Sequence, residues 1–263
     1  MNYIYDGTFE GLLTCVYEHY YTEKATSIMS SHSQKNLQIE GEAVGYQEDM
    51  LNSLCIVDTD FGKYEKVYNA INDKISRPDL ERIYRAFRST VADKEMKILA
   101  YIRLGFKLQR KLRLLHTHEI VLAVEGAERK VGREVERLLG LVRFNEITAD
   151  NGARTLYARV CPDHDVIEFL ANHFADRYKH EQVVIHDERR DKALAISQGK
   201  WCVVPFTNDM IPTIDDDYFT NLWRHYFKTI SIEERLNPKC QKNFMPARYW
   251  SNLPETQDAM QKV

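Results

Sequence analysis

The sequence lacks the cysteine pattern of a disulfide-stapled or metal-binding protein. Its five cysteines are an odd number, lie far apart and include no CxxC pair. This spacing argues against a disulfide framework and against a compact zinc or iron–sulfur site. We therefore predict no metal and no cofactor, and a cytoplasmic protein with reduced thiols.

Long apolar runs and common catalytic motifs are also missing. No apolar stretch approaches the roughly 20 residues of a membrane-spanning helix. We do not expect MNYIYDGTFEGLL at the start to be a secretory signal, because it has no basic segment. There is no P-loop, no GxGxxG, no GxSxG and no HExxH. We expect no membrane association, no nucleotide hydrolysis and none of the common hydrolase activities.

Charge leaves nucleic-acid binding open. The formal net charge is -3, so DNA would have to bind a local basic surface and not the overall field of the protein. One such surface is predicted within 93–112, where Arg103, Lys107, Arg110 and Lys111 form one stripe at helical spacing. This stripe can follow a phosphate backbone or dock an acidic partner, or it is an ordinary solvated face.

Apolar periodicity predicts an α+β fold. A strand at Tyr3–Tyr5 and a helix capped by Thr8 are followed by a surface connection from about Ser30 to Gln47. Further elements are a strand at 54–58, a helix at 64–75, and a helical hairpin made by 93–112 and 117–140. We predict an N-terminal lobe at 1–90 and a main domain at 91–255, with one integrated globule as the alternative.

The apolar period then changes from helical spacing to strict alternation. Residues 141–147 and 155–161 predict a β-hairpin centred on Asn151, which would pair Arg143 with Arg159 beside Tyr157. A helix at 163–178 and three short strands at 183–187, 193–197 and 201–204 follow. The predicted architecture is an antiparallel sheet of about five or more strands packed with helices, including the helical hairpin.

Two short stretches contain candidate catalytic residues. CPDHDVIEF contributes His164 and Asp165, and the end of an apolar strand contributes His186 and Asp187. If the four side chains converge, they can transfer protons. The structural alternatives are a helix cap at Asp163 with Asp165 in the first turn, and a solvated hairpin tip after Asp187.

The C-terminal stretch NPKCQKNFMPARYW contains cations and aromatics and no acid. This composition can hold phosphates and stack on bases, or pack as a strap over the domain. We predict that a helix at 223–232 turns Leu222, Tyr226 and Phe227 inward, and that Pro238 and Pro246 keep the following chain extended. Candidate residues for binding nucleic acid or a partner are Arg143, Arg159, Arg177, Arg189, Arg190, Arg224, Lys242 and Arg248.

Several stretches together resemble a bacterial family of probable DNA metabolism or putative DNA repair proteins, which contains the domain of unknown function 4130. They are YDGTFEGLL, GLVRF, YARVCPDHDVIEFLANHFADRY, VIHDERRDKAL and WRHYFKTISIEERLNPKCQKNFMPARYWSNLPE. The resemblance implies a role beside a radical SAM protein of DNA modification or repair. The resemblance also implies fused relatives in which a similar domain precedes a uracil-DNA glycosylase-like domain. The chain itself lacks the CxxxCxxC of a radical SAM enzyme.

Three hypotheses of function follow. The first is an accessory protein of DNA metabolism that binds DNA, a radical SAM partner, or both. The second is an enzyme acting on damaged or modified nucleic acid through the His and Asp candidates. The third is a protein-interaction module without nucleic-acid contact. Convergence of the four candidates in one pocket would distinguish the enzyme from the other two.

Overall fold

A computed structural model describes residues 1–31, 54–148, 154–210, 218–235 and 237–256. The chain divides into two compact units, Met1–Val131 and Gly132–Val263, and the boundary falls within one long helix. The surface connection predicted from about Ser30 to Gln47 lies, from residue 32 on, outside the described residues.

The first unit contains a parallel sheet of three strands, in the order β2-β1-β3. Its strands are β1 (Asn2–Tyr5), β2 (Ser27–Ser30) and β3 (Leu54–Ile56). Its helices are α1 (Phe9–Tyr21), α2 (Phe61–Lys74), α3 (Arg77–Phe87), α4 (Lys94–Leu108) and the first part of α5 (Glu119–Leu141). The predicted cap is confirmed, because the Thr8 hydroxyl accepts a hydrogen bond from the Gly11 amide at 3.0 Å.

The apolar stripe of α4 enters the core of this unit, where Ile98, Leu99 and Ile102 are buried. The helix ends earlier than predicted, at Leu108, because Gln109 has a positive φ of 51° and a 3₁₀ segment (Gln109–Leu114) follows. Buried Leu112 anchors that segment. The two helices predicted as a hairpin correspond to α4 and α5. The 3₁₀ segment lies between them in the chain.

The second unit contains a five-stranded sheet in the order β4-β5-β6-β7-β8. The strands are β4 (Asn145–Thr148), β5 (Arg154–Val160), β6 (Gln182–Asp187), β7 (Lys192–Ser197) and β8 (Lys200–Pro205). Asn145 pairs with Tyr157 and Ile147 with Thr155, which confirms the register centred on Asn151. Gln198 and Gly199 make the turn between β7 and β8 with φ of 52° and 71°, the left-handed conformations of a tight hairpin.

The prediction of an antiparallel sheet is wrong, because β5 and β6 are parallel and the sheet is mixed. The connection between them contains a 3₁₀ turn (Ile167–Leu170) and α6 (Ala171–Arg177), which contacts β7 and β8. Such a helical crossover returns the chain to the starting end of the sheet, so that the next strand runs in the same direction. Residues 163–166 were predicted as helical, but they form a loop between β5 and the 3₁₀ turn.

The C-terminal part of the second unit is helical. It comprises α7 (Tyr218–Ile230), a 3₁₀ turn (Glu233–Arg235), α8 (Pro238–Phe244) and two further 3₁₀ turns, Ala247–Asn252 and Pro254–Thr256. The extended strap predicted after Pro238 is wrong for α8. Proline is tolerated at the first helical position, and the Asn237 side chain caps the helix by accepting from the Cys240 amide at 3.0 Å.

The orientation predicted for α7 is also wrong. Leu222 and Tyr226 are 49% and 51% exposed instead of facing inward, and Ile230, one turn further, is 53% exposed. Phe227 and Arg224 are partly buried. The inner side of α7 is therefore not its most apolar side.

Candidate functional site

The loop after β5 and the β6–β7 loop meet at the carboxyl ends of the two parallel strands, a common place for ligand sites in α/β sheets. Arg190 joins them by donating hydrogen bonds to Asp187 at 3.0 Å, to the Pro162 carbonyl at 3.1 Å and to the Asp163 carbonyl at 2.6 Å. Arg189 adds an ion pair with Asp163 at 3.0 Å. We call these residues the Asp163–Arg190 network.

A buried carboxylate on α5 fixes this network. Glu134, with a side chain 1% exposed, accepts from the backbone amides of Asp163 at 3.0 Å and His164 at 2.7 Å. It also accepts from the Tyr249 hydroxyl at 2.6 Å and from Arg248 at 3.3 Å. Burial and the hydrogen bond to Glu134 raise the pKa of Tyr249 to about 12. Glu134 thus ties the 162–165 loop to the C-terminal segment.

The two candidate aspartates are held by different cations. Asp165 forms an ion pair with Lys192, whereas Asp187 is fully buried and bonds to Arg190 and to the Arg189 amide. Burial raises the pKa of Asp187, and the positive charge of Arg190 opposes that rise. Both carboxylates serve as anchors of the loops.

His186 lies on the opposite face of β6 from Asp187, because neighbouring strand residues alternate. Its Nδ1 is 2.9 Å from the Tyr157 hydroxyl, and the ring of Phe206 packs edge-on at 4.9 Å. The side chain is 0% exposed, and Nε2 has no hydrogen-bond partner among the described residues. Burial lowers the pKa of His186 and raises that of Tyr157 to about 12.

The four catalytic candidates do not all face one pocket, because His186 is buried on the opposite face of β6 from Asp187. Asp165 forms an ion pair with Lys192 and Asp187 forms one with Arg190. No group of three or more metal-ligating side chains occurs within the described ranges. The arrangement is one of satisfied charges and not of a shared proton-transfer pocket.

Most of the predicted binding arginines are neutralised by carboxylates. Arg143 pairs with Glu255 at 2.7 Å, Arg159 with Glu188 at 3.6 Å, and Arg248 with Asp163 at 2.8 Å. Arg189 and Arg190 belong to the network above. Arg143 precedes β4, so it shares no strand pair with Arg159, and Tyr157 between them is buried.

The remaining predicted binding residues are placed differently. Arg177 is exposed at the end of α6, with its guanidinium 5.8 Å from the ring centroid of Tyr178. Arg224 donates to Asn221 at 3.0 Å on α7. Lys242 is exposed on α8.

Sequence reasoning missed the buried acids Glu134 and Glu255. Glu134 lies near Val131 and Leu138, which are buried on the same side of α5. A carboxylate on the apolar side of a helix is the signal that could have indicated this site in the sequence, because a buried charge requires hydrogen-bond or charged partners. Glu255 accepts from Arg143 and, at 3.0 Å, from the indole of Trp223, but nothing in its sequence neighbourhood indicates burial.

Comparison with known proteins places most of the chain in one family. A family model described as a domain of unknown function, DUF4130, matches residues 92–255, from just before α4 to the last 3₁₀ turn. No curated protein and no solved structure matches the chain. In the part of the chain that the structure describes, no helix is both long and apolar enough to cross a membrane.

Proposed function

The chain belongs to the DUF4130 family, and we propose that it has the role that its sequence resemblance implies, an accessory protein of DNA metabolism that binds DNA, a radical SAM protein, or both. The observation that carries the proposal is the exposed surface of the C-terminal helices. There, cations and aromatic side chains remain accessible, whereas the candidates of the Asp163–Arg190 network are engaged with carboxylates.

The cations of this region are the electrostatic part of the argument. Arg235, Lys239 and Lys242 are exposed, and none of them pairs with a carboxylate that the structure describes. We call them the C-terminal cation group. The acidic residues between Tyr218 and Thr256 are Glu233, Glu234 and Glu255. Glu255 already forms an ion pair with Arg143. A surface with accessible cations and few acids suits a phosphate backbone.

Exposed aromatics supply the second part. Tyr226 is 51% exposed and Phe244 is 74% exposed, while Trp223 lies 5.7 Å from Tyr226 between ring centroids. Aromatic rings next to cations are typical of proteins that stack on nucleic-acid bases. Catalysis is less well supported, because the His and Asp candidates do not converge.

A protein partner is favoured by a separate observation. Leu222, Tyr226 and Ile230 follow each other at i, i+4 and i+8 and form an exposed apolar stripe on α7. A helix with such anchors can dock into a groove of another protein. The radical SAM protein implied by the family resemblance is the partner we propose for it.

DNA binding is tested with labelled oligonucleotides at several salt concentrations. A triple variant of the C-terminal cation group, Arg235→Gln with Lys239→Gln and Lys242→Gln, should bind more weakly and flatten the salt dependence by about two to three units of slope on duplex. The reference variant carries the same charge loss elsewhere, as Lys66→Gln with Arg129→Gln and Lys130→Gln. Equal affinities of the two variants would remove the C-terminal helices from the DNA interface.

Partner binding is tested by pull-down with the neighbouring radical SAM protein, with and without nuclease treatment. Leu222→Ser combined with Ile230→Ser should abolish co-purification without lowering the melting temperature, because both side chains are already half exposed. Retention of the partner by this variant would contradict a role of the stripe. Loss of the partner only after nuclease treatment would indicate contact through DNA.

A further inference from the structure

The basic stripe of the first unit is not used by the surfaces described above. Arg103 and Lys107 lie on α4, and Arg110 and Lys111 lie on the 3₁₀ segment that follows. All four side chains are exposed. None of them forms an ion pair with a carboxylate in the described part of the first unit.

The local sequence leaves this charge unopposed. No acidic residue occurs between Glu95 and Glu119. Nearby cations with structural roles differ clearly: Arg82 meets Asp79 at 3.2 Å and Glu128 at 2.8 Å, and Arg113 meets Asp79 at 3.5 Å. No carboxylate of the described part of the first unit is thus paired with the cations of the stripe. A ligand can bind these cations without first displacing such a carboxylate.

The backbone under the stripe is anchored on its inner side. Ile98, Leu99 and Ile102 bury α4, and Leu112 buries the 3₁₀ segment. Arg103 and Lys107 are one helical turn apart, a rise of about 6 Å. Arg110 and Lys111 follow on the 3₁₀ segment, where both are exposed beside buried Leu112, so cations continue along the chain beyond the end of the helix. The cations therefore sit on an ordered support and not on a loose loop.

An exposed aromatic ring lies beside the stripe. Tyr20 of α1 is 47% exposed, and its ring centroid is 5.9 Å from that of Phe106, which precedes Lys107. Burial raises the pKa of Tyr20, and the positive charge of Arg103 acts against this rise. A cation row beside an accessible ring is the combination that holds a backbone and stacks a base.

We propose that the basic stripe and Tyr20 form a second nucleic-acid surface, on the first unit, which binds single-stranded DNA or RNA. The inference rests on the proposed function and extends it to a unit whose residues were not among the predicted binding residues. An acidic polypeptide would be attracted by the same charge. The accessible ring favours a strand with unpaired bases, since duplex bases offer no free face for stacking.

The test compares variants of the full chain by fluorescence anisotropy with labelled oligothymidylate and with a duplex of equal length. Lys107→Gln with Arg110→Gln and Lys111→Gln should weaken oligothymidylate binding about tenfold or more at low salt and flatten the slope by about two units. Tyr20→Leu should weaken single-strand binding at least about fivefold, and Tyr20→Phe should not. Duplex affinity should be unchanged in Tyr20→Leu.

Each outcome decides one assignment. If the stripe variant binds like the reference variant while the C-terminal variant binds weakly, the inference is overturned and the proposed function stands. If only the stripe variant loses affinity, the inference stands and the C-terminal helices are not the DNA surface. No binding of either oligonucleotide by the wild-type chain overturns the inference and the DNA-binding part of the proposed function, and leaves the partner-binding part to the pull-down. Polyglutamate competing as well as oligothymidylate, or full affinity in Tyr20→Leu, overturns the single-strand assignment.

Discussion

Replacing Glu134 by glutamine should destabilise the second unit by about 3 kcal/mol. In the native protein the two carboxylate oxygens accept four hydrogen bonds, three at Oε1 and one, from His164, at Oε2. Glutamine keeps one acceptor oxygen and turns the other position into a donor. Its best orientation retains the three bonds of Oε1 and sets an NH₂ group against the His164 amide.

The magnitude follows from this geometry. Loss of one hydrogen bond to a charged group costs roughly 1.5–3 kcal/mol, and a buried amide left without an acceptor adds about 1–3 kcal/mol. The remaining three bonds also lose their charge-assisted character. Because partial relaxation of the 162–165 loop recovers some of this, we expect about 3 kcal/mol, equivalent to about 6–12 °C in melting temperature for a protein of this size.

Urea unfolding followed by tryptophan fluorescence measures the effect directly, since Trp201, Trp223 and Trp250 all lie in the second unit. Glu136→Gln is the matched control, because Glu136 is exposed on the same helix and should change the unfolding free energy by less than about 0.5 kcal/mol. A Glu134→Gln protein within about 0.5 kcal/mol of wild type would refute the reasoning that this carboxylate is the anchor of the network.

Arg143→Ala should cost about 2–3 kcal/mol in urea unfolding because Glu255 stays buried without its cation, and an unchanged midpoint would contradict that role. Burial lowers the pKa of His186 in the folded protein, so it takes up a proton less readily than an unfolded histidine, which is protonated below about pH 6.5. The unfolding free energy should therefore fall from pH 7 to pH 5, and less steeply in His186→Gln; equal slopes would refute this. Gly11→Ala should lower the melting temperature, because a Cβ would lie 2.4 Å from the Asp6 carboxylate; an unchanged value would mean that Asp6 moves freely.

Local patterns in the sequence were enough to predict most elements of this protein. The Thr8 cap, the strands at 183–187 and 193–197 and the hairpin register about Asn151 all follow from neighbouring residues, and the structure contains them. Caps and turns depend on bonds between residues a few positions apart, and register depends on alternation. Membership in the family was likewise indicated by stretches read directly from the chain, and the family model supports it.

Tertiary structure decided the direction of strand pairing and the exposure of α7. Whether β6 joins β5 as a parallel or an antiparallel neighbour depends on the path of the helical crossover, which no local period encodes. Leu222, Tyr226 and Phe227 share one apolar arc of α7, yet only Phe227 is partly covered. Periodicity predicts which residues share a side of a helix, but the neighbouring elements determine which side is buried.

Tertiary structure also decided which cations are neutralised by ion pairs. By sequence Arg248 is a free cation near the end of the chain, but the fold sets it against Asp163 and Glu134, which are far away along the sequence. Arg143 and Glu255 meet in the same way. Composition determined that cations were plentiful in both units. Only the folded chain shows which of them are neutralised, because ion pairs form across distances in sequence that no local pattern spans.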